Sequence, residues 1–131
     1  MNRAYCGPSV SLSCTFALLL AGCSTTPEPI PPDPDPDISG LGVGCNELAP
    51  LRRVPPKYPA AAVEANQEGW SVARVALSPT GGQPERVEII KASPPDTFER
   101  VTAAALAQWE FSPRAGGGDC FLLMQYDLKQ R

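Results

Sequence analysis

The sequence predicts one small α+β domain in which a short helix precedes two antiparallel strands, a long helix and a third strand. Three observations lead to this fold. Two strand-like stretches flank a proline- and glycine-rich turn at residues 79–84, apolar residues recur at helical spacing over residues 98–109, and another apolar stretch begins at Cys120. A hairpin followed by a right-handed crossover leaves room for the first strand between the other two. We therefore expect a three-stranded antiparallel sheet in the order 2-1-3, with the long helix packed on one face.

Prolines and glycines set the expected limits of these elements. A short helix is expected over residues 60–67, the first strand over 70–78, the second over 85–92 and the last over 120–129. In the first strand, one face is expected to carry Ser71, Ala73, Val75 and Leu77, and the other Trp70, Val72 and Ala76. The last strand is expected to be an open edge of the sheet.

The long helix has a start signal and an apolar stripe. Asp96 can cap it, and Glu99 three residues later completes a capping-box pattern. The stripe consists of Phe98, Val101, Ala105, Leu106 and Trp109. Phe98, Ala105 and Trp109 are expected to pack in the core rather than to contact a ligand.

Residues 1–22 have the organisation of a bacterial lipoprotein signal peptide. Arg3 gives a small positive region, a short apolar run follows over residues 16–20, and small residues precede Cys23. We expect cleavage before Cys23 and lipidation of its thiol. The alternative is a plain secretory signal with a chance cysteine. A membrane-spanning helix is disfavoured because the apolar core has about 13 residues, against the roughly 20 that a bilayer requires.

Residues 23–44 are expected to form a lipidated tether, and residues 45–131 the folded domain. Six prolines and three aspartates lie between residues 27 and 37, and glycines follow at 40, 42 and 44. Such a composition favours extended polyproline geometry, which gives the 21 residues from Ser24 to Gly44 a reach of roughly 65 Å at most.

The five cysteines fit an exported protein. Cys6 and Cys14 leave with the signal peptide, and Cys23 is the lipidation site. Cys45 and Cys120 remain, one at each end of the domain, and an even pair in an oxidising compartment favours a disulfide. Two unpaired buried thiols are the alternative.

Charge and composition exclude several functional classes. The domain after Cys45 carries equal numbers of basic and acidic residues and is therefore no candidate for phosphate-backbone binding. The chain contains no histidine, shows no metal-ligand spacing and has no phosphate-binding glycine loop. We expect no cofactor, no metal, no nucleic acid partner and no enzymatic activity.

Several motifs, in order, resemble those of the C-terminal domain of TonB-family proteins. The resemblance runs from about Pro56 to Leu128. It rests on Pro56-x-Tyr58-Pro59, Glu68-Gly69, Pro79-Thr80-Gly81, Phe98-Glu99-Arg100, Ala105 and Trp109-x-Phe111-x-Pro113. In that family, the domain grips a short extended segment of an outer-membrane receptor, the TonB box.

The resemblance implies a peptide-binding site at the last strand and at the stretch before the first helix. Strand addition would supply backbone hydrogen bonds, and side-chain pockets would set the register. The implied site residues are Pro56, Tyr58, Pro59, Phe121, Leu122, Leu123, Met124, Gln125, Tyr126, Asp127 and Leu128. For Tyr58, anchoring of the local chain and contact with a partner remain equally open.

The sequence also departs from the energised members of the family. Those members use an anchor histidine for coupling to a proton-driven motor, and this chain has none. Its tether is also far shorter than TonB's spacer. Ser24, directly after the lipidated cysteine, favours the outer membrane, with the domain facing the periplasm. We expect a module that engages an outer-membrane receptor or another envelope protein in TonB-dependent transport. The alternative is an envelope scaffold or adaptor unrelated to transport, which could form a homodimer through its edge strands.

Overall fold

A computed structural model describes residues 28–130. The predicted signal peptide and Cys23 lie outside the described residues. The helices are α1 (Ala60–Glu64) and α2 (Glu99–Leu106), and the strands are β1 (Gly69–Leu77), β2 (Arg86–Ser93) and β3 (Gly118–Tyr126). Short 3₁₀ turns lie at Cys45–Leu48, Pro113–Ala115 and Leu128–Gln130.

The sheet has the order β2-β1-β3, with both neighbours antiparallel to β1. This confirms the predicted fold class and strand order. β1 pairs with β3 without interruption from Gly69 opposite Tyr126 to Leu77 opposite Gly118, whereas the pairing with β2 is irregular between Val72 and Ala73. β2 and β3 are therefore the outer strands.

One face of the sheet packs on α2 and forms the main core. Ala73, Val75 and Leu77 of β1 meet Cys120 and Leu122 of β3 in this core. The residues that α2 and the following loop contribute to it are Leu106, Trp109 and Phe111. A second cluster contains Ala62, Phe98 and Tyr126, so that both helices contact the same face. The prediction that Phe98, Ala105 and Trp109 are core residues is confirmed.

The opposite face of the sheet is covered by the proline- and aspartate-rich segment. Trp70 and Val72 point away from α2, yet only 1% and 2% of their surface is exposed. The Trp70 indole N–H donates to the Asp33 carbonyl at 2.7 Å, and the Asp33 N–H donates to Ser93 Oγ at 2.8 Å. We define the strap as residues 30–44. It lies across the back of the sheet.

The strap is attached at its beginning and at its end. Gln67 exchanges two hydrogen bonds with the backbone of Ile30, at 2.7 and 2.6 Å. At the other end, the Phe121 N–H donates to the Val43 carbonyl at 2.9 Å, and Cys45 and Cys120 form the expected disulfide. Residues 30–44 are therefore held on the domain by hydrogen bonds at several points.

The element boundaries differ from expectation by a few residues. α1 ends at Glu64 because Asn66 adopts a left-handed conformation with φ of 53°. β3 ends at Tyr126, and its last predicted residues instead form the turn Leu128–Gln130.

The expectation that Asp96 caps the long helix is wrong. The N-cap is Phe98, and Asp96 lies two residues earlier, with φ of 61°. One of the two hydrogen bonds of a capping box is present, because the Asp96 N–H donates to Glu99 Oε1 at 2.7 Å.

Candidate functional site

The outer edge of β3 is the candidate site, and its hydrogen-bonding groups follow from the strand register. The Phe121 N–H donates to Val43, away from β1, and backbone groups alternate in direction along an antiparallel strand. The N–H groups of Leu123 and Gln125 therefore also point outward. Among residues 28–130, no backbone hydrogen bond to these two N–H groups is found, so this half of the edge can accept an additional strand.

A shallow groove of about 320 Å³ lies beside this open half of the edge. One wall is the proline-rich stretch before α1, and the other is the end of β3. The lining residues are Pro55, Pro56, Tyr58, Met124, Gln125, Tyr126 and Asp127. Two regions that the resemblance implied to be neighbours, the Pro-x-Tyr-Pro stretch and the last strand, are thus brought together.

The proline-rich wall is fixed at both ends by hydrogen bonds. The Trp109 indole N–H donates to the Val54 carbonyl at 2.9 Å, just before the prolines. The Tyr58 hydroxyl donates to the Gln67 carbonyl at 2.5 Å, just before β1. Because prolines also restrict the backbone between these points, the wall is preorganised.

Tyr58 anchors the local chain and also lines the groove. Its ring makes edge-on contacts with Phe98 and Tyr126, with centroid distances of 5.7 and 5.8 Å. Phe98 and Tyr126 stack on each other at 4.2 Å. The ring is half-buried, which leaves part of it at the groove surface.

Tyr126 is a buried residue that supports the site from the core side of β3. Its hydroxyl lies 2.6 Å from the Thr102 hydroxyl of α2, and only 4% of the residue is exposed. Burial raises the pKa of Tyr126 to about 12, although the hydrogen bond with Thr102 opposes this shift. Tyr126 is therefore neutral at physiological pH and holds the end of β3 against the helix.

The structure divides the implied site residues into three groups. The side chains of Leu122 and Tyr126 point into the core, although Tyr126 also lines the groove. The half-buried or exposed residues near the edge and groove are Pro56, Tyr58, Pro59, Phe121, Leu123, Met124, Gln125 and Asp127. Leu128 lies beyond β3, where its N–H donates to Glu68 Oε1 at 3.1 Å.

Val43 and Gly44 belong to the site although sequence reasoning did not include them. The Val43 carbonyl accepts a hydrogen bond from the Phe121 N–H, and Gly44 forms a parallel bridge with Phe121. The outer edge of β3 is therefore only partly open, contrary to the expectation of a fully open edge. The predicted disulfide is the sequence feature from which these two residues could have been identified, because joining Cys45 to Cys120 places residues 43 and 44 beside Phe121.

Neither a metal site nor a transmembrane helix is found in the part of the chain that the structure describes. Residues 28–130 contain no group of three or more Cys, Asp or Glu side chains positioned to hold a metal ion. Over the same residues, no helix has the length and apolar character needed to cross a bilayer.

Comparison with known proteins assigns the domain to a family. The family described as Gram-negative bacterial TonB protein C-terminal matches residues 54–120, about half of the chain. The chain belongs to the TonB C-terminal family. The matched region begins at the proline-rich wall and ends within β3, so it contains one side of the groove and the whole hairpin and helix between.

Relatives and solved structures agree with membership of the TonB C-terminal family. Protein TonB of Pseudomonas aeruginosa is 30% identical over 73 residues, which cover 56% of this chain and 21% of that protein. The chain thus spans about a fifth of the length of this curated relative.

Two solved structures have the same fold. The solution structure of the Pseudomonas aeruginosa TonB C-terminal domain matches with a TM-score of 0.53 and 26% identity, covering 63% of this chain and 87% of that one. The TonB2 protein from Vibrio anguillarum matches in fold with a TM-score of 0.51 and 24% identity, covering 77% of this chain and 97% of that one.

Proposed function

We propose that this chain is a membrane-anchored, periplasmic protein-binding module of the TonB type. It engages an extended segment of an envelope partner, such as the TonB box of an outer-membrane receptor, by strand addition in TonB-dependent transport. The observation that carries the proposal is the outward-pointing backbone of Leu123 and Gln125 beside a preorganised groove.

The chemistry of the groove supports an extended guest rather than a small molecule. Leu123 and Gln125 together offer two N–H donors and two carbonyl acceptors to a neighbouring strand. The proline-rich wall adds apolar surface from Pro56 and the Tyr58 ring, which suits an apolar side chain of the guest. Backbone bonds supply affinity in such a complex, and the groove sets the register.

The test is a titration of the full chain in detergent with a synthetic TonB-box peptide, followed by amide chemical shifts. We expect shifts at Leu123, Gln125 and Tyr58 and none along β2. Leu123→Pro removes an outward N–H that β1 does not use, and it should abolish binding. The matched control Leu123→Ala keeps the N–H and should bind.

Two results would contradict strand addition. One is unchanged binding by a folded Leu123→Pro protein, with folding checked by circular dichroism. The other is the absence of peptide shifts together with concentration-dependent dimerisation, which would favour the scaffold function.

We also propose that Cys23 carries the lipid anchor and that the protein resides in the outer membrane. Because the strap lies on the domain, six residues separate Cys23 from the strap, and six residues span roughly 20 Å at most. Such a short spacer keeps the domain close to the membrane surface.

The anchor is tested by replacing the cysteine. Cys23→Ala should abolish incorporation of radiolabelled palmitate and release the protein from the membrane fraction. Cys14→Ala, a cysteine of the predicted signal peptide, is the matched control and should remain lipidated. Continued incorporation of radiolabelled palmitate into the Cys23→Ala protein would contradict a lipid anchor at Cys23.

A further inference from the structure

We propose that the Cys45–Cys120 disulfide sets the length of the docking edge by holding Val43 on Phe121. This inference rests on the proposed function and specifies the guest. A guest strand can pair with Leu123 and Gln125 but is stopped before Phe121. The partner is therefore a short extended segment that ends or bends away from the sheet at this point.

We call the block to further strand pairing at Phe121 the stop. It consists of contacts on two sides of this residue. At the edge, the Val43 carbonyl accepts the Phe121 N–H at 2.9 Å. On the back face, the strap passes so close that a Cβ on Gly42 would lie 3.0 Å from the Phe121 ring. The Arg74 guanidinium lies 5.8 Å from the centroid of the same ring, so the ring is confined between β1 and the strap.

The disulfide makes this contact difficult for a guest to displace. Cys45 and Cys120 are fully buried, and their Cα atoms are 4.9 Å apart. Val43 lies two residues from one end of this link, and Phe121 is adjacent to the other. Val43 is therefore an intramolecular competitor for the Phe121 N–H, with a high effective concentration that a free peptide does not match.

Within residues 28–130, no backbone hydrogen bond from the strap closes the other half of the edge. The strap contacts this half through a hydrogen bond between the side chains of Asp35 and Gln125, which does not involve the Gln125 backbone. Gln125 is exposed, so this side-chain contact can be exchanged for water. The edge is thus closed at Phe121 and open at Leu123 and Gln125.

The test compares a short TonB-box peptide with the same peptide lengthened at both ends. Both are titrated into the full chain in detergent and into its Cys45→Ala/Cys120→Ala variant. With the native chain, we expect equal affinities, guest backbone NOEs to Leu123 and Gln125, and persistent NOEs between Gly44 and Phe121. With the variant, the lengthened peptide should bind about 10-fold more tightly, because one or two further hydrogen bonds become available.

The outcomes separate this inference from the proposed function. Guest NOEs to Phe121 in the native chain, or tighter binding of the lengthened peptide to it, would overturn the stop while supporting strand addition. Absence of peptide binding to the native chain would overturn both. If the double variant does not fold, the NOEs of the native chain alone decide, since they report directly whether Val43 stays on Phe121.

Discussion

Reduction of the Cys45–Cys120 disulfide should lower the free energy of unfolding by about 4 kcal/mol. The bridge joins residues 75 positions apart, and the chain-entropy model gives about 4.5 kcal/mol for a loop of that length. Residual structure in the unfolded chain reduces this value, so we expect a measured loss of about 3–4.5 kcal/mol. Small domains have a total stability of about 5–15 kcal/mol, and the loss is therefore a large fraction of it.

The assay is urea unfolding followed by tryptophan fluorescence, with and without a phosphine reductant. Trp70 and Trp109 are both buried, so their emission reports on the two faces of the sheet. The Cys45→Ala/Cys120→Ala variant is the control, and its unfolding should not respond to the reductant. A loss below about 1 kcal/mol in the native chain would contradict this prediction, because the chain-entropy model gives several times that value for a loop of this length.

Two further predictions concern the packing that supports the site. Gly69→Ala should destabilise the domain by about 3 kcal/mol in urea unfolding, because the added Cβ would lie 2.2 Å from the Ser93 carbonyl oxygen. The added Cβ of the control Gly40→Ala meets nothing within 4 Å, so this variant should change the free energy of unfolding by less than about 0.5 kcal/mol. Equal effects of the two substitutions would contradict the close packing at Gly69. Tyr126 has a pKa of about 12 in the folded chain against about 10 when unfolded, so stability should fall as pH rises from 10 to 12, since the unfolded state loses its proton first. Tyr126→Phe should cost about 1 kcal/mol at pH 7 and remove this part of the pH dependence in urea unfolding, and an unchanged slope would contradict the assignment.

The sheet order could be predicted because local signals delimited every strand. The proline- and glycine-rich turn at residues 79–84 fixed the hairpin, and the apolar stripe ending at Trp109 identified the crossover helix. Once a hairpin and a right-handed crossover are known, few sheet orders remain. The position of the Pro-x-Tyr-Pro stretch beside β3 came from the resemblance rather than from any local signal.

The composition of the strap did not predict that the strap would lie on the sheet. Its Pro-Asp repeats contribute little apolar surface, and its attachment uses backbone groups, such as the Asp33 carbonyl that accepts from Trp70. Backbone acceptors are present in every sequence and leave no pattern. One signal did exist: the unbroken apolar run at residues 121–124 is typical of a strand that is covered on both faces.

The most direct test of strand addition at β3 is photo-crosslinking in intact cell envelopes. A photoreactive residue is placed at Gln125, on the open half of the β3 edge, or at Lys91, an exposed position on the opposite outer strand. If strand addition occurs at β3, we expect a crosslink to an outer-membrane receptor from position 125 that is lost when the receptor's TonB box is deleted, and none from position 91. Crosslinking of that receptor from position 91 alone, or from position 125 regardless of the deletion, would contradict it.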